Sequence, residues 1–144
     1  MTLEFLGTRG NIRSKTRHHF MHSSLLVGYR GRQVMIDCGE DWLGRVEHLR
    51  PAAIVITHAH PDHAGGLRAG VACTVYATRE TWERLPESPI DKRLVVEPRR
   101  AFEAQGLVFE AFEVEHSFRA PAVGYRIRAG KATIFYVPDV VRIP

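Results

Sequence analysis

Apolar residues along this chain fall into short runs separated by turn-forming residues, a pattern of strands with brief helices between them. Runs at residues 24–27 and 33–36 bracket Tyr29-Arg30-Gly31-Arg32 and predict a β-hairpin, with Asp37 and Gly39 ending its second strand. Residues 41–49 predict a helix. Residues 52–57, apolar, rich in β-branched side chains and bounded by Pro51, predict a strand covered on both faces. Residues 74–77 read as another buried strand, and residues 78–84 as a short helix capped by Thr78. Between 108 and 115 the residues alternate, which puts Glu110, Phe112, Val114 and His116 in one phase with His116 at the strand end. Finally, residues 124–127 and 132–137 flank Ala129-Gly130-Lys131, a second hairpin signal, and Asp139 follows the last strand after Pro138.

Composition narrows the class without choosing a chemistry. With 144 residues, 44% of them hydrophobic, the chain has the size and apolar content of one ordinary domain. The 20 Lys and Arg against 16 Asp and Glu leave +4, a mild preference for anionic partners rather than the dense basic stripe of a dedicated nucleic-acid binder. No apolar run approaches bilayer length. The opening MTLEFLGTRG lacks the basic and apolar regions of a signal peptide, so a cytoplasmic protein is expected. Cys38 and Cys73 form no CxxC pair and suggest neither a disulfide framework nor a cysteine zinc site. Arg13, Lys15, Arg17, His18, His19 and His22 make a basic, histidine-rich segment that reads as an exposed loop.

The chemistry is concentrated in Thr57-His58-Ala59-His60-Pro61-Asp62-His63, directly after the buried strand. In an extended segment the i, i+2 spacing lets His58 and His60 aim their imidazoles at one point, while Asp62 and His63 turn toward a neighbouring one as a helix begins. Neutral imidazole and carboxylate suit Zn²⁺, and also Mn²⁺ or Fe²⁺. The carboxyl end of a strand is also where layered α/β folds place ligands.

These motifs resemble the metallo-β-lactamase superfamily, in order and over nearly the whole chain. Ile36-Asp37-Cys38-Gly39 is similar to the first motif, residues 58–63 to the HxHxDH motif, His116 to the third and Asp139 to the fourth. The resemblance implies an αββα sandwich and two divalent metal ions, with zinc favoured. It implies that His58, His60 and His116 hold one metal, that Asp62 and His63 hold the second, and that Asp139 bridges them. Asp37 would orient the ligands through hydrogen bonds, and Asp62 would also be catalytic, orienting a metal-bound hydroxide and helping to protonate the leaving group. The family's fifth motif, a last histidine, has no counterpart after His116. Residues 1–144 are therefore expected to be one metallo-β-lactamase-like domain, incomplete at its C-terminus and lacking the second half of the sandwich. Apolar sheet surface left bare would favour a homo-oligomer.

The sequence around the third motif, His116-Ser117-Phe118-Arg119-Ala120-Pro121 continuing into Gly124-Tyr125-Arg126-Ile127, resembles the branch of tRNA 3′-processing endonucleases (tRNase Z) and related phosphodiesterases. Leu6-Gly7-Thr8-Arg9-Gly10 and Ser23-Ser24-Leu25-Leu26-Val27 are similar to the openings of the same branch. No glycine- and lysine-rich insertion matches a tRNA-gripping arm. The expected substrate is accordingly an anionic phosphodiester, either nucleic acid or a small molecule. Two alternatives stay open: an ester, lactone or thioester hydrolase of the same fold, and an inactive metal-binding module.

Overall fold

A computed structural model describes residues 1–118 and 120–144, so Arg119 of the motif after His116 lies outside the described residues. The first hairpin forms as expected: β2 (Ser24–Tyr29) and β3 (Arg32–Ile36) are joined by Arg30-Gly31, both at positive φ, the two-residue turn whose twist suits antiparallel strands. β1 (Thr2–Gly7) lies on the outer side of β2, while β4 (Ala53–Val55), β5 (Val71–Thr78) and β6 (Ile90–Val96) follow β3 in parallel, giving a six-stranded sheet in the order β1-β2-β3-β4-β5-β6. β7 (Ala101–Ala104), β8 (Leu107–Val114), β9 (Ala122–Ala129) and β10 (Ala132–Tyr136) make a separate antiparallel sheet in the order β10-β9-β8-β7. β1, β6 and β7 were not anticipated from the apolar pattern.

Two apolar layers bury the first sheet on both sides. On one face Leu25, Val34, Ile36 and Val55 meet Phe109, Tyr125 and Ile127 of the second sheet. On the other, Met35, Ile54 and Ile56 pack against Trp42, Val46 and Leu67. The predicted double coverage of the strand after Pro51 is thus explained, because its alternate residues feed different cores. The helices on that side are short: α1 (Val46–Leu49), α2 (Pro61–Ala64) and α3 (Arg79–Arg84), the last capped by the Thr78 hydroxyl, which accepts from the Thr81 amide.

The helix expected over residues 41–49 does not form as one unit. Glu40–Trp42 is a single 3-10 turn, Gly44 breaks the path at φ +68, and only Val46–Leu49 is α-helical. A glycine held in the left-handed region cannot continue a right-handed helix, so the apolar spacing of Trp42, Val46 and Leu49 is met by two turns at an angle. In β8, Leu107, Phe109 and Ala111 face the core, which leaves the phase containing Glu110 and Phe112 on the outer face. His116 is therefore placed by the bend after Val114 rather than by the strand's own alternation. Among the described residues no helix covers that outer face.

Candidate metal centre

The site forms at one rim of the sandwich, where both sheets contribute loops. β3 and β4 are parallel neighbours, so their carboxyl ends deliver Asp37 and the segment from Thr57 side by side. α2 begins at Pro61, a residue pre-set for a first helical turn, with His60 still extended at its N-cap. That change of backbone lets His63 return beside His58, with ring centroids 4.2 Å apart. β8 and β10 of the other sheet lead to His116 and Asp139.

Three ring nitrogens from separate points of the chain converge. His58 Nε2 and His116 Nε2 lie 3.1 and 3.2 Å from His60 Nδ1. Beside them, Asp139 Oδ2 is 3.4 Å from His63 Nε2, 3.6 Å from His116 Nε2 and 3.9 Å from His58 Nε2. Asp62 Oδ2 is also 3.4 Å from His63 Nε2. The structure therefore brings five of the six residues singled out as metal ligands into two overlapping groups, His58, His60 and His116, and His58, His63 and Asp139, while Asp62 stands beside the second through its contact with His63. His58 is common to both, and Asp139 of the second also approaches His116 of the first.

Asp37 organises the buried side. It is fully buried and adopts φ +61, a conformation costly for a non-glycine residue and held here by its contacts. Its carboxylate accepts from the Thr57 amide at 2.8 Å and from the Thr57 hydroxyl at 2.8 and 3.0 Å, and pairs with His63 Nδ1 at 2.7 Å. With its hydroxyl proton given to Asp37, Thr57 Oγ1 is left to accept from His58 Nδ1 at 3.1 Å. Both chains of bonds fix the proton on Nδ1 and direct Nε2 of His58 and His63 into the site. Asp37 therefore contacts one candidate ligand, His63, directly and a second, His58, through Thr57. Thr57, which the sequence offered only as a neighbour of the motif, is the link that reaches His58.

Electrostatics divide the histidines of the cluster. Burial, then the neighbouring His63, His60 and His116, depress the His58 pKa to about 2, so its ring is a neutral donor at physiological pH. Burial and His116 lower that of His60 in the same way. Burial also opposes a proton on His63, but Asp37, then Asp139 and Asp62, outweigh it and raise its pKa to about 12. The hydrogen bond from His63 holds Asp139 at about 2 against the effect of burial. Burial raises the Asp62 pKa, but the His63 bond and charge outweigh it and lower it overall.

These residues fit a divalent metal on their own geometry. Asp62 Oδ1 is buried without a hydrogen-bond partner, and such an atom costs about 1–3 kcal/mol when left unsatisfied, while His63 Nε2 faces only the Asp62 and Asp139 oxygens, both at 3.4 Å. Three imidazole nitrogens facing one another cannot all be satisfied by shared protons, whereas a cation at their focus would accept all three lone pairs.

The basic segment before β2 departs from the expected exposed loop. Arg13, Lys15, Arg17, His18 and His19 are exposed, but His22 is buried, as is Arg9. The Arg9 guanidinium donates to the carbonyls of Ile12 and Phe20 and pairs with Asp41, which also accepts from Lys15 Nζ and the His22 amide, both at 3.0 Å. This clasp holds the loop near the site: a Cβ on Gly10 would lie 3.8 Å from Asp62 Oδ2. No sequence spacing announces it, because Arg9 and Asp41 are 32 residues apart.

The sequence profile of the beta-lactamase superfamily domain matches residues 32–144, and the chain belongs to that superfamily, with the metallo-β-lactamase fold. It is 30% identical over 161 aligned positions to ribonuclease Z of Methanopyrus kandleri, an alignment covering 97% of this chain and 56% of that protein. The structure of a diphosphatase from the PhnP family superposes with a TM-score of 0.67 at 25% identity, over 91% of this chain and 63% of that one. Human tRNase Z, short form, gives a TM-score of 0.67 at 19% identity, over 99% and 70%. The similarity thus falls on the tRNase Z-like branch, and the chain spans just over half the length of the ribonuclease Z it matches.

Proposed function

We propose that this chain carries the metal centre of a phosphodiesterase, with zinc as the preferred ion. The observation that supports it most is the convergence of His58 Nε2, His60 Nδ1 and His116 Nε2 at 3.1–3.2 Å spacings, with Asp139 and His63 alongside. His58, His60 and His116 would hold one ion, Asp62 and His63 a second, and Asp139 would lie between them. Bound there, divalent ions would supply Lewis acidity for attack of water on phosphorus.

The chain's own groups have distinct tasks. Asp37 and Thr57 fix the His58 and His63 tautomers. Asp62, ionised through its contact with His63, is the proton acceptor positioned to orient the attacking water. Exposed Arg13 and Arg17 add positive charge to the loop that passes Asp62 at Gly10, which would favour an anionic substrate. The phosphodiester assignment, rather than an acyl substrate, is favoured by the similarity to ribonuclease Z and to a diphosphatase.

Turnover of a bis-aryl phosphate by zinc- or manganese-loaded protein, compared with an aryl ester and a thioester, tests this reading. The diester is expected to be preferred, with His60→Ala reducing its turnover at least about 100-fold. Preference for the acyl substrates, or full activity in the variant, would contradict it.

A further inference from the structure

The candidate ligands come from both sides of the sandwich: His58, His60, Asp62 and His63 follow strands of the six-stranded sheet, whereas His116 and Asp139 follow strands of the other. The focus of the three imidazoles is consequently set by the relative position of two sheets that share no ladder. Near the site, hydrogen bonds from β9 cross the gap. The Tyr125 hydroxyl donates to the Ile56 carbonyl at 2.9 Å, and the Val123 amide donates to the Thr57 carbonyl at 3.1 Å. Both come from β9 and end on the two residues that immediately precede His58.

Tyr125 is fully buried, with its ring in the core between the sheets and edge-on to Phe109 at a centroid distance of 6.0 Å. Its ring packing would be supplied equally by phenylalanine, so the hydroxyl needs a separate reason. Burial and the Asp37 carboxylate raise its pKa, which keeps it a donor across the physiological range. β8, which leads to His116, is paired with the same strand along its length, including Ala111 with Tyr125. A shift of β9 relative to Ile56 would therefore carry His116 with it and open the imidazole triad.

We propose that Tyr125 is a positioning residue for the metal centre: its hydroxyl ties β9 to the strand end before His58 and sets the distance of His116 from His58 and His60. The inference rests on the metal reading given above. It assigns Tyr125 a task that its core packing alone does not require.

Tyr125→Phe is the test, with Tyr76→Phe as its control. The Tyr76 hydroxyl also crosses between the sheets, reaching the Glu103 carbonyl at 3.5 Å, but β7 carries none of the candidate ligands. Zinc affinity is measured by competition with a chromophoric chelator, the site geometry by the d–d spectrum of the Co²⁺-loaded protein, and the fold by thermal melting without metal. Tyr125→Phe is expected to weaken zinc binding about 10-fold or more, as loss of a group supporting a metal ligand commonly does, and to alter the Co²⁺ spectrum. Tyr76→Phe should leave both unchanged. Equal zinc affinity and spectra in Tyr125→Phe and the unmodified protein would overturn the positioning role alone, whatever happens to the melting temperature. Absence of zinc binding by the unmodified protein would overturn the metal reading and the positioning role with it. Should Tyr125→Phe not fold, Tyr125→Met, which fills much of the buried site without a donor, is judged by the same zinc and Co²⁺ criteria.

Discussion

Asp41 shows how much of the site's surroundings depends on single charged contacts. Burial alone would raise its pKa, but bonds from Arg9, Lys15 and the His22 amide bring it down to about 2 from the ordinary 3.8. A carboxylate whose folded-state pKa is depressed stabilises the fold fully above its unfolded value, and that contribution is lost as pH falls through the folded one. Asp41→Asn is therefore expected to cost on the order of 1–2 kcal/mol at pH 7. The penalty should shrink as pH is lowered from about 5 toward 2, as followed by thermal melts of the two proteins. A penalty independent of pH would exclude the charge as its source. At this scale the sequence was informative where ligand types were adjacent, as in residues 58–63, and silent where partners were distant. Thr57 and Asp37 are 20 residues apart and Tyr125 and Ile56 are 69 apart, so nothing local marks either pair.

Among the elements, those with a strong local pattern were legible and those shaped by their neighbours were not. The strand after Pro51 and the Thr78-capped helix follow directly from apolar content and capping. β6 did not, because Asp91, Lys92 and Arg93 interrupt its apolar residues; the strand lies at a sheet edge, where charge is tolerated and discourages further pairing. The joint between β3 and α2 is tighter than its sequence suggests. Cys38 donates its amide to the His63 carbonyl at 2.6 Å and accepts from the Gly66 amide at 2.8 Å. A Cβ at Gly39 would sit 2.2 Å from the Asp62 carbonyl oxygen and 2.4 Å from His22 Cβ. Gly39→Ala should accordingly displace α2, destabilise the protein by about 2 kcal/mol or more, and weaken zinc binding. Melting curves and zinc titration check this; a variant as stable and as tight-binding as the parent would show that the two loops are free to separate.

At the level of the whole molecule, the proposed metal centre belongs to the sandwich rather than to the HxHxDH segment. The motif contributes four candidate ligands from one sheet, but the imidazole triad closes only when the second sheet brings His116 to His60. The order of motifs along the chain made this arrangement readable through family resemblance. The hydrogen bonds that fix the distance between the sheets were not readable, since alternation says which way a side chain faces and not what stands opposite. The most direct measurement is zinc bound at equilibrium by the 144-residue protein and by His116→Ala, both shown to be folded. The unmodified chain is predicted to hold at least one equivalent at neutral pH, and His116→Ala to lose it or bind at least about 100-fold more weakly. Failure of the unmodified protein to bind zinc, or undiminished binding without His116, would contradict a centre assembled across the two sheets.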